Sequence, residues 1–181
     1  MKAHSDVPSP WVVRFASLLS HGGTVLDLAC GGGRHTRYLA AKGHPVLAVD
    51  RDARALASLA IPGVELVCSD LERGPWPFPG RTFAGVVVAK YLYRPLFPWI
   101  ANALADGGVL LYETFMRGHE RFGRPTNPDF LLRPGELLEA FRMLGIIAFE
   151  QGCVESPEPA VLQRLCAVQG AVEAIALPLS T

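Results

Sequence analysis

The sequence predicts an α/β fold, in which helices cover both faces of a mostly parallel β-sheet. Helical and strand patterns alternate along the chain, and the strand candidates are short apolar runs, as buried parallel strands are. Half of the 181 residues are hydrophobic and 19% are charged, which is sufficient for a full core. This length is typical of one domain, so we expect residues 1–181 to form a single unit.

The first half of the chain predicts three strands separated by helices. Ser9 is a suitable N-cap and Pro10 a suitable first residue for an opening helix, which Gly22 and Gly23 end. The predicted strands span residues 24–29, 45–49 and 64–68, and the intervening helices span residues 34–42 and a short alanine-rich segment capped by Asp52.

In the second half, the most apolar strand spans residues 83–89, so we expect it at the centre of the sheet. It follows a loop over residues 71–82 that is rich in proline and glycine. The remaining predictions are a helix over 95–104, a strand over 109–114, a helix over 134–144, strands over 146–150 and 161–168 joined by the hairpin 151–160, and a segment over 171–177 that suits a short strand.

Residues 115–133 follow no regular pattern, and a loop of this length inside a compact domain is usually functional. Its basic residues, which include Arg117, His119 and Arg121, are interleaved with aromatic ones such as Phe122. We expect a mobile lid that closes over a small acceptor molecule, anionic acceptors included. An ordinary solvated loop anchored by its aromatic side chains is the alternative.

The charge balance disfavours some partners. Lys+Arg and Asp+Glu number 17 each, so the chain has no net charge to attract nucleic acid or an anionic membrane. Its apolar runs are shorter than the ~20 residues of a membrane-spanning helix. The opening MKAHSDVPSP has no apolar stretch of the kind found in signal peptides. We therefore expect a cytoplasmic protein with no nucleic-acid or membrane partner.

The cysteines do not predict a metal site. Cys30, Cys68, Cys153 and Cys166 show no CxxC spacing, and none lies near a histidine at zinc-ligand spacing. We expect four free thiols in a reducing compartment and no bound metal.

The turn after the first strand is the most informative feature of the sequence. It has the spacing Asp27-x-Ala29-x-Gly31-x-Gly33 and leads into a helix, whose N-terminus offers free N–H groups to a ligand. A GxxxxGK[ST] motif is absent, and GxGxxG fails because Arg34 occupies its last position. The turn therefore favours a nucleoside ligand without a pyrophosphate over a dinucleotide. A tight structural connection is the alternative.

Two aspartates at later strand ends strengthen this interpretation. Asp50 ends the second strand, a position from which a carboxylate binds ribose hydroxyls in doubly wound folds. Asp70 ends the third strand, where it can meet an adenine amino group. Each residue alone also suits a helix cap or a turn. Together with the glycine turn, in this order, they predict a nucleoside site.

With these residues identified, the chain resembles the class I S-adenosylmethionine-dependent methyltransferases. The resemblance rests on VLDLACGGGRHTRYLAAKGHPVLAVD (25–50), CSDLE (68–72) and GGVLLYETF (107–115), and it extends from Ser9 to Val168. The segment CGGGRHTRYLA (30–40) is most similar to the small bacterial tellurite-resistance-type branch. The resemblance implies a Rossmann-like, doubly wound sheet of seven strands, the last antiparallel, and S-adenosylmethionine as cofactor.

The resemblance also implies roles for single residues. Asp27 would order the glycine turn near the methionine amino group, and Asp50 would bind the ribose. Asp70 and Leu71 would contact the adenine, while Ala29 stands where the family usually has a glycine. The residues expected to bind the cofactor are Asp27, Ala29, Cys30, Gly31, Gly33, His35, Asp50, Arg51, Asp70, Leu71 and Lys90.

The acceptor side is less defined. Methyl transfer from a sulfonium is an in-line displacement, so a protein mainly has to position the acceptor and exclude water. Groups over the carboxyl ends of the central strands are therefore the candidates. For substrate binding they are Tyr93, Arg94, Arg117 and Arg121, and for catalysis His119, Glu113 and Tyr91.

Three function classes follow. The sequence favours a methyltransferase that acts on a small-molecule acceptor, as a monomer or homodimer. A non-catalytic S-adenosylmethionine-binding sensor or partner subunit is the alternative, because cofactor residues alone do not separate the two. The missing pyrophosphate spacing disfavours a nucleotide-dependent oxidoreductase. The sequence Ala89-Lys90-Tyr91-Leu92 lacks the Asn/Asp-Pro-Pro-Tyr/Phe motif, which disfavours a DNA amino-methyltransferase.

Overall fold

A computed structural model of the chain describes residues 6–156 and 158–178. A seven-stranded sheet forms its centre. The strands are β1 (Val25–Leu28), β2 (Val46–Asp50), β3 (Val64–Cys68), β4 (Phe83–Ala89), β5 (Leu104–Phe115), β6 (Gly145–Val154) and β7 (Ala160–Val168).

The strand order is β3-β2-β1-β4-β5-β7-β6. Strands β1 to β5 pair in parallel, whereas β7 lies antiparallel to both of its neighbours. The predicted Rossmann-like fold is confirmed, with β4 at the middle of the sheet as expected. Chain order reverses between β1 and β4, and in open α/β sheets the carboxyl ends of the strands at such a point leave a crevice for a ligand.

Short helices flank the sheet, and both predicted caps are present. The Ser9 side chain accepts a hydrogen bond from the backbone N–H of Trp11, and Asp52 accepts from Arg54 and Ala55. Within the described ranges, none of the helices has the length and apolar character needed to cross a bilayer. The α-helices are α1 (Pro10–Phe15), α2 (Arg34–Ala41), α3 (Ala53–Ala57), α4 (Phe97–Asn102) and α5 (Glu136–Ala140).

The sheet separates two apolar layers, because successive side chains of a strand point to opposite faces. Leu110 and Tyr112 of β5 pack in one layer with residues of α4 and α5. Val109 and Leu111 pack in the other with residues of α1 and α2. The indole N–H of Trp11 donates to the backbone oxygen of Leu165 in β7, which fixes α1 against the sheet.

Element boundaries differ from the prediction at glycine-rich and terminal segments. β5 begins at Leu104, five residues before the strand predicted over 109–114. A register shift against β4 between Phe83 and Gly85 accommodates this extension. The opening helix ends at Phe15 and continues as a 3-10 helix over Ala16–Leu18.

Two predictions near the carboxyl end of the chain are also revised. The helix expected over 134–144 is only the short α5, because Phe141 leaves the helical region with φ −111° and ψ 25°. The short strand suggested within 171–177 is wrong, since Val172–Ala174 forms a 3-10 helix. Pro157 in the predicted hairpin lies outside the described residues.

Candidate functional site

The carboxyl ends of β1 to β4 surround a cavity of about 160 Å³. Because neighbouring parallel strands end at one edge, residues far apart in sequence meet there. We call this cavity the β1–β4 cleft. It is lined by five residues that the sequence predicted as cofactor ligands, namely Ala29, Asp50, Arg51, Asp70 and Leu71, and by Ser69, Glu72 and Tyr91.

The glycine turn beside the cleft contains two glycines with different roles. Gly31 and Gly33 have φ values of 53° and 72°, in the left-handed region that favours glycine. A Cβ at Gly33 would overlap the side chain of Leu59, so this glycine permits close packing. A Cβ at Gly31 would project into open space. Gly31 therefore leaves room for a ligand to approach the backbone.

The carboxylate of Asp50 is fixed against this turn. Its Oδ2 accepts from the backbone N–H of Gly31 at 2.7 Å, and its Oδ1 accepts from that of Asp52 at 2.9 Å. Each carboxylate oxygen keeps a further lone pair. Asp50 can therefore hold the turn and still accept hydrogen bonds from a ligand in the cleft.

Asp27 lies behind the turn and is only 2% exposed. The Thr36 hydroxyl donates to its Oδ2 at 2.6 Å. Burial raises the pKa of Asp27 to about 6, although the hydrogen bonds from Thr36 oppose this rise. A nearby cation would stabilise the ionised form. Asp27 is thus a buried carboxyl group that holds its proton more tightly than an exposed one does.

Two residues at the carboxyl ends of β1 and β4 have strained backbones. Ala29 and Lys90 are the non-glycine residues with positive φ in the described ranges, at 54° and 56°. This conformation costs an L-residue about 1–2 kcal/mol. The backbone N–H of Lys90 donates to the oxygen of Glu113, which holds the turn in place. Such strain is concentrated at functional sites, and here both instances flank the crevice between β1 and β4.

The segment after β3 forms a tight turn that supplies the opposite wall. Asp70 Oδ1 accepts from the backbone N–H of Glu72 at 3.0 Å, and the Asp70 carbonyl accepts from Gly74. Leu71 is buried and connects the cleft to the core. The wall therefore combines a carboxylate with an apolar surface.

Tyr91 lines the cleft and carries an unsatisfied polar atom. Its hydroxyl is buried and has no hydrogen-bond partner among the described residues. Burial, together with Glu72 and Asp70, raises the pKa of Tyr91 well above its ordinary value, so the group stays protonated. Burying a hydroxyl without a partner is costly. A ligand that accepts a hydrogen bond from Tyr91 would remove this cost, and a protonated phenol suits a donor better than a base.

His35 and Cys30 pack behind the turn. His35 is 3% exposed, and its Nε2 accepts from the backbone N–H of Ser9 at 3.1 Å, which ties α2 to the start of α1. Burial, together with the nearby cations Arg34 and Lys90, lowers the pKa of His35 to about 3, so the ring is neutral. Burial likewise raises the pKa of Cys30 well above its usual range. Neither side chain lines the cleft.

Arg94 connects the end of β4 to the loop over residues 115–133. Its Nε donates to Glu136 at 2.6 Å, and its two terminal nitrogens donate to the backbone oxygens of Asp129 and Leu131. Burial raises the pKa of Glu136, but hydrogen bonds from Arg94 and Arg133 outweigh burial and lower it. Arg94 was predicted as a substrate ligand, yet these contacts use its donors to hold the loop.

His119 occupies the base of the same loop and is 5% exposed. Its ring stacks on Phe115, with centroids 3.9 Å apart. Its Nδ1 accepts from the backbone N–H of Val161 at 3.4 Å, and its Nε2 lies 3.1 Å from the oxygen of Arg124. Both ring nitrogens therefore have protein partners, which favours an anchoring role over that of a catalytic base.

Glu113 at the end of β5 is also paired. Arg164 Nε donates to the carboxylate oxygen Oε2 of Glu113 at 2.6 Å, and both side chains are largely buried. Arg164 also reaches Glu150 on β6, which in turn pairs with Arg14 of α1. This row of alternating charges crosses three strands. Glu113 is thus part of a structural network beside the cleft.

The remaining acceptor-side candidates lie outside the β1–β4 cleft. The Tyr93 hydroxyl donates to the backbone oxygen of Glu72. Arg117 and Arg121 are exposed in the loop over residues 115–133. Among the described residues, none of the four predicted substrate ligands lines the cleft. The structure therefore brings five of the predicted cofactor residues together in the cleft and leaves the predicted acceptor residues dispersed.

Sequence reasoning did not select Ser69 and Glu72, although both line the cleft. They lie within the CSDLE segment that carries the resemblance, and their position directly after β3 is the signal that could have found them. In the described ranges, His, Cys, Asp and Glu side chains form no group of three or more that could hold a metal ion.

The cleft fits the adenosine part of S-adenosylmethionine. The Asp50 and Asp70 carboxylates can accept hydrogen bonds from hydroxyl and amino groups, Leu71 provides an apolar surface, and Gly31 leaves space beside the backbone. The fold and this site together resemble those of the S-adenosylmethionine-dependent methyltransferases.

Comparison with known proteins supports this class. Residues 25–108 match the family model of a methyltransferase domain. No curated protein sequence matches the chain significantly. Among solved structures, TehB from Haemophilus influenzae is 17% identical with a TM-score of 0.78, and the match covers 93% of this chain and 65% of TehB.

Two further solved structures share the fold. A TehB-like methyltransferase from Corynebacterium glutamicum is 20% identical with a TM-score of 0.65, covering 88% of this chain and 87% of that one. Coclaurine N-methyltransferase, bound to N-methylheliamine and S-adenosylhomocysteine, is 16% identical with a TM-score of 0.61, covering 79% and 50%. The family match over residues 25–108 supports the predicted resemblance to methyltransferases, and the solved structures, two of which are TehB or TehB-like, share the predicted fold.

Proposed function

We propose that the protein is an S-adenosylmethionine-dependent methyltransferase that acts on a small-molecule acceptor by in-line methyl transfer. The observation that carries this proposal is the cleft itself: Ala29, Asp50 and Asp70 meet beside the open face of Gly31. The bound cofactor supplies a methyl group already activated by a sulfonium. The protein then has to bind and orient the acceptor and exclude water, and none of these tasks requires a catalytic triad.

Each cofactor residue has a distinct task in this proposal. Asp50 accepts hydrogen bonds from the ribose and holds the glycine turn, and Asp27 stabilises the turn and the ammonium end. Asp70 accepts a hydrogen bond from the adenine amino group, and Leu71 packs against the adenine ring. Tyr91 donates its otherwise unpartnered hydroxyl to the ligand. Arg51, which follows β2, and Lys90, which follows β4, are further cofactor-binding residues in this proposal.

A small acceptor is favoured by charge and by the acceptor side of the molecule. The chain carries no net charge that would attract a nucleic acid. The loop over residues 115–133 is fixed at its base by His119 and Arg94, whereas Arg117 and Arg121 are exposed. We propose that the exposed part of this loop is a lid that helps enclose the acceptor. We also propose a cytoplasmic location and a monomeric or homodimeric state.

Calorimetric titration with S-adenosylmethionine and S-adenosylhomocysteine tests the cofactor site. We expect micromolar binding to the wild type and a loss of about tenfold to a hundredfold in Asp50→Ala, which removes hydrogen bonds to a charged acceptor. Asp52→Ala is the control, because it removes a neighbouring carboxylate but keeps the backbone N–H that contacts Asp50. Its affinity should stay within about threefold of the wild type.

Methyl transfer to a panel of small acceptors then separates an enzyme from a non-catalytic binding protein. Transfer that depends on Asp50 would support the enzyme. A well-folded protein that binds neither ligand would overturn the proposed function as a whole.

A further inference from the structure

A second and larger cavity, of about 450 Å³, opens next to the β1–β4 cleft. It lies between the loop after β3 and the segment that leads from β4 into α4. Its volume falls within the range of small-molecule sites. We call it the tryptophan pocket; the side chains that define it are Leu71, Glu72, Trp76, Tyr93, Leu96 and Trp99, with three prolines at its rim.

The walls of the tryptophan pocket are aromatic and preformed. The rings of Trp76 and Trp99 are nearly parallel, with an angle of 14° and centroids 6.3 Å apart. The indole N–H of Trp76 donates to the backbone oxygen of Phe78, and Trp76 is buried. Trp99 is 49% exposed, so part of its indole surface is open to solvent. The pocket therefore offers fixed indole surface to a flat apolar ligand.

Charge narrows the chemistry of that ligand. Glu72 is the charged residue among those that line the tryptophan pocket. Within the described ranges, no ion pair neutralises its carboxylate. The Tyr93 hydroxyl donates to the Glu72 backbone oxygen and so fixes this residue at the rim. Aromatic faces attract cations, and an adjacent carboxylate adds to that attraction.

We propose that the tryptophan pocket binds an arylalkylamine, with its ring on the indole surface of Trp99 and its ammonium near Glu72. The pocket shares Leu71 and Glu72 with the β1–β4 cleft, so its ligand lies beside whatever occupies that cleft. The inference depends only on the walls of this pocket. It stands or fails separately from the proposed methyl-transfer activity.

Three probes of similar shape and different charge test the proposal by calorimetric titration. They are phenethylamine, 2-phenylethanol and phenylacetate. We expect saturable binding of the amine, about threefold to tenfold tighter than that of the neutral alcohol, with the anion weakest. Binding that does not saturate, or equal binding of all three probes, would overturn the proposal.

Variants assign the two parts of the site. Trp99→Ala should weaken the amine and the alcohol by about tenfold, and the exposure of Trp99 makes loss of folding unexpected. Glu72→Gln should bring the amine within about twofold of the alcohol and leave alcohol binding unchanged. Met143→Ala, at an 86% exposed apolar residue outside the pocket, is the control and should bind like the wild type.

Two further measurements keep the outcome decisive. Circular dichroism checks the fold, and Trp99→Phe replaces Trp99→Ala if the alanine variant is unfolded. Titration of each variant with S-adenosylhomocysteine reports on the neighbouring cleft. Amine binding that persists unchanged in both pocket variants would place the probe elsewhere and contradict the proposal, whatever the cofactor titration shows.

Discussion

The polar groups over β1 to β4 and those over β5 to β7 are satisfied in different ways. Over β1 to β4, the Tyr91 hydroxyl has no partner among the described residues, burial raises the pKa of Asp27 to about 6, and Ala29 has a positive φ. Over β5 to β7, charges pair with each other, as Glu113 does with Arg164 at 2.6 Å. The first region contains groups that a ligand could satisfy, and the second contains groups that are already satisfied.

This difference separates ligand affinity from stability. A substitution in the β1–β4 region should change ligand binding or relieve a local cost, because groups there lack internal partners. A substitution in the β5–β7 region should mainly reduce the free energy of unfolding, because it leaves a buried charged group without the opposite charge that paired with it. The following variants test this separation.

The largest effect on stability should come from Glu136→Ala. Glu136 is 5% exposed and accepts from Arg94 and from the backbone N–H of Arg133. Its loss should lower the free energy of unfolding by about 2–3 kcal/mol, with solvent around Arg94 limiting the cost. Urea unfolding measures this change.

The control is Glu139→Ala on the same helix, where the side chain is 68% exposed. It should cost less than about 0.5 kcal/mol. S-adenosylhomocysteine binding to folded Glu136→Ala should stay within about twofold of the wild type. A larger loss of affinity would break the separation between the two regions.

The pH dependence of stability should report Asp27. Its pKa rises from 3.8 to about 6 in the folded state, so the folded protein binds this proton more tightly than the unfolded chain does. The resulting stability is fully present below the unfolded pKa and is lost as pH rises through about 6. Relative to Asp27→Asn, the wild type should therefore lose about 2–3 kcal/mol between about pH 4 and about pH 7.

The comparison with Asp27→Asn removes contributions shared by both proteins, including that of His35. Burial lowers the pKa of His35, so the dependence of stability on pH that it causes is opposite to that of Asp27. The stability that His35 contributes is lost as pH decreases below 6.5. Urea unfolding of both proteins across this pH range gives the difference directly. A difference that is independent of pH would show that Asp27 keeps an ordinary pKa.

The smallest expected effect comes from Ala29→Gly. Glycine relieves the positive φ of 54° but loses more chain entropy on folding. The net result should be a stabilisation of up to about 1 kcal/mol. Ala55→Gly in α3 is the control and should destabilise by about 0.5–1 kcal/mol. Thermal unfolding of both variants decides, and a destabilised Ala29→Gly would remove the argument for strain.

The sequence predicted the fold well because its signals are local. The apolar run over residues 83–89 and the caps Ser9 and Asp52 depend on neighbours in the chain. The extension of β5 to Leu104 does not, because it requires a register shift against β4. The segment 172–174 likewise adopts a 3-10 helix that its apolar composition alone did not indicate.

The cofactor and acceptor sides of the site also differed in how well local sequence signals predicted them. Asp50 and Asp70 could be placed because each follows a strand, and parallel strands end at one edge. The partners of Glu113 and Arg94 could not, because Arg164 and Glu136 lie 51 and 42 residues further along the chain. Whether a charged group is free to meet a ligand depends on such distant pairs, which spacing does not encode.

The position of β7 has a consequence for synthesis of the chain on the ribosome. β7 is the last strand of this sheet in chain order, yet it lies inside the sheet between β5 and β6. One edge of β5 therefore stays unpaired while residues 116–159 are made. Because β6 pairs with its sequence neighbour β7, the two can dock together as a hairpin. Until then the growing chain exposes an apolar strand edge, which is the stage at which it is most prone to aggregate.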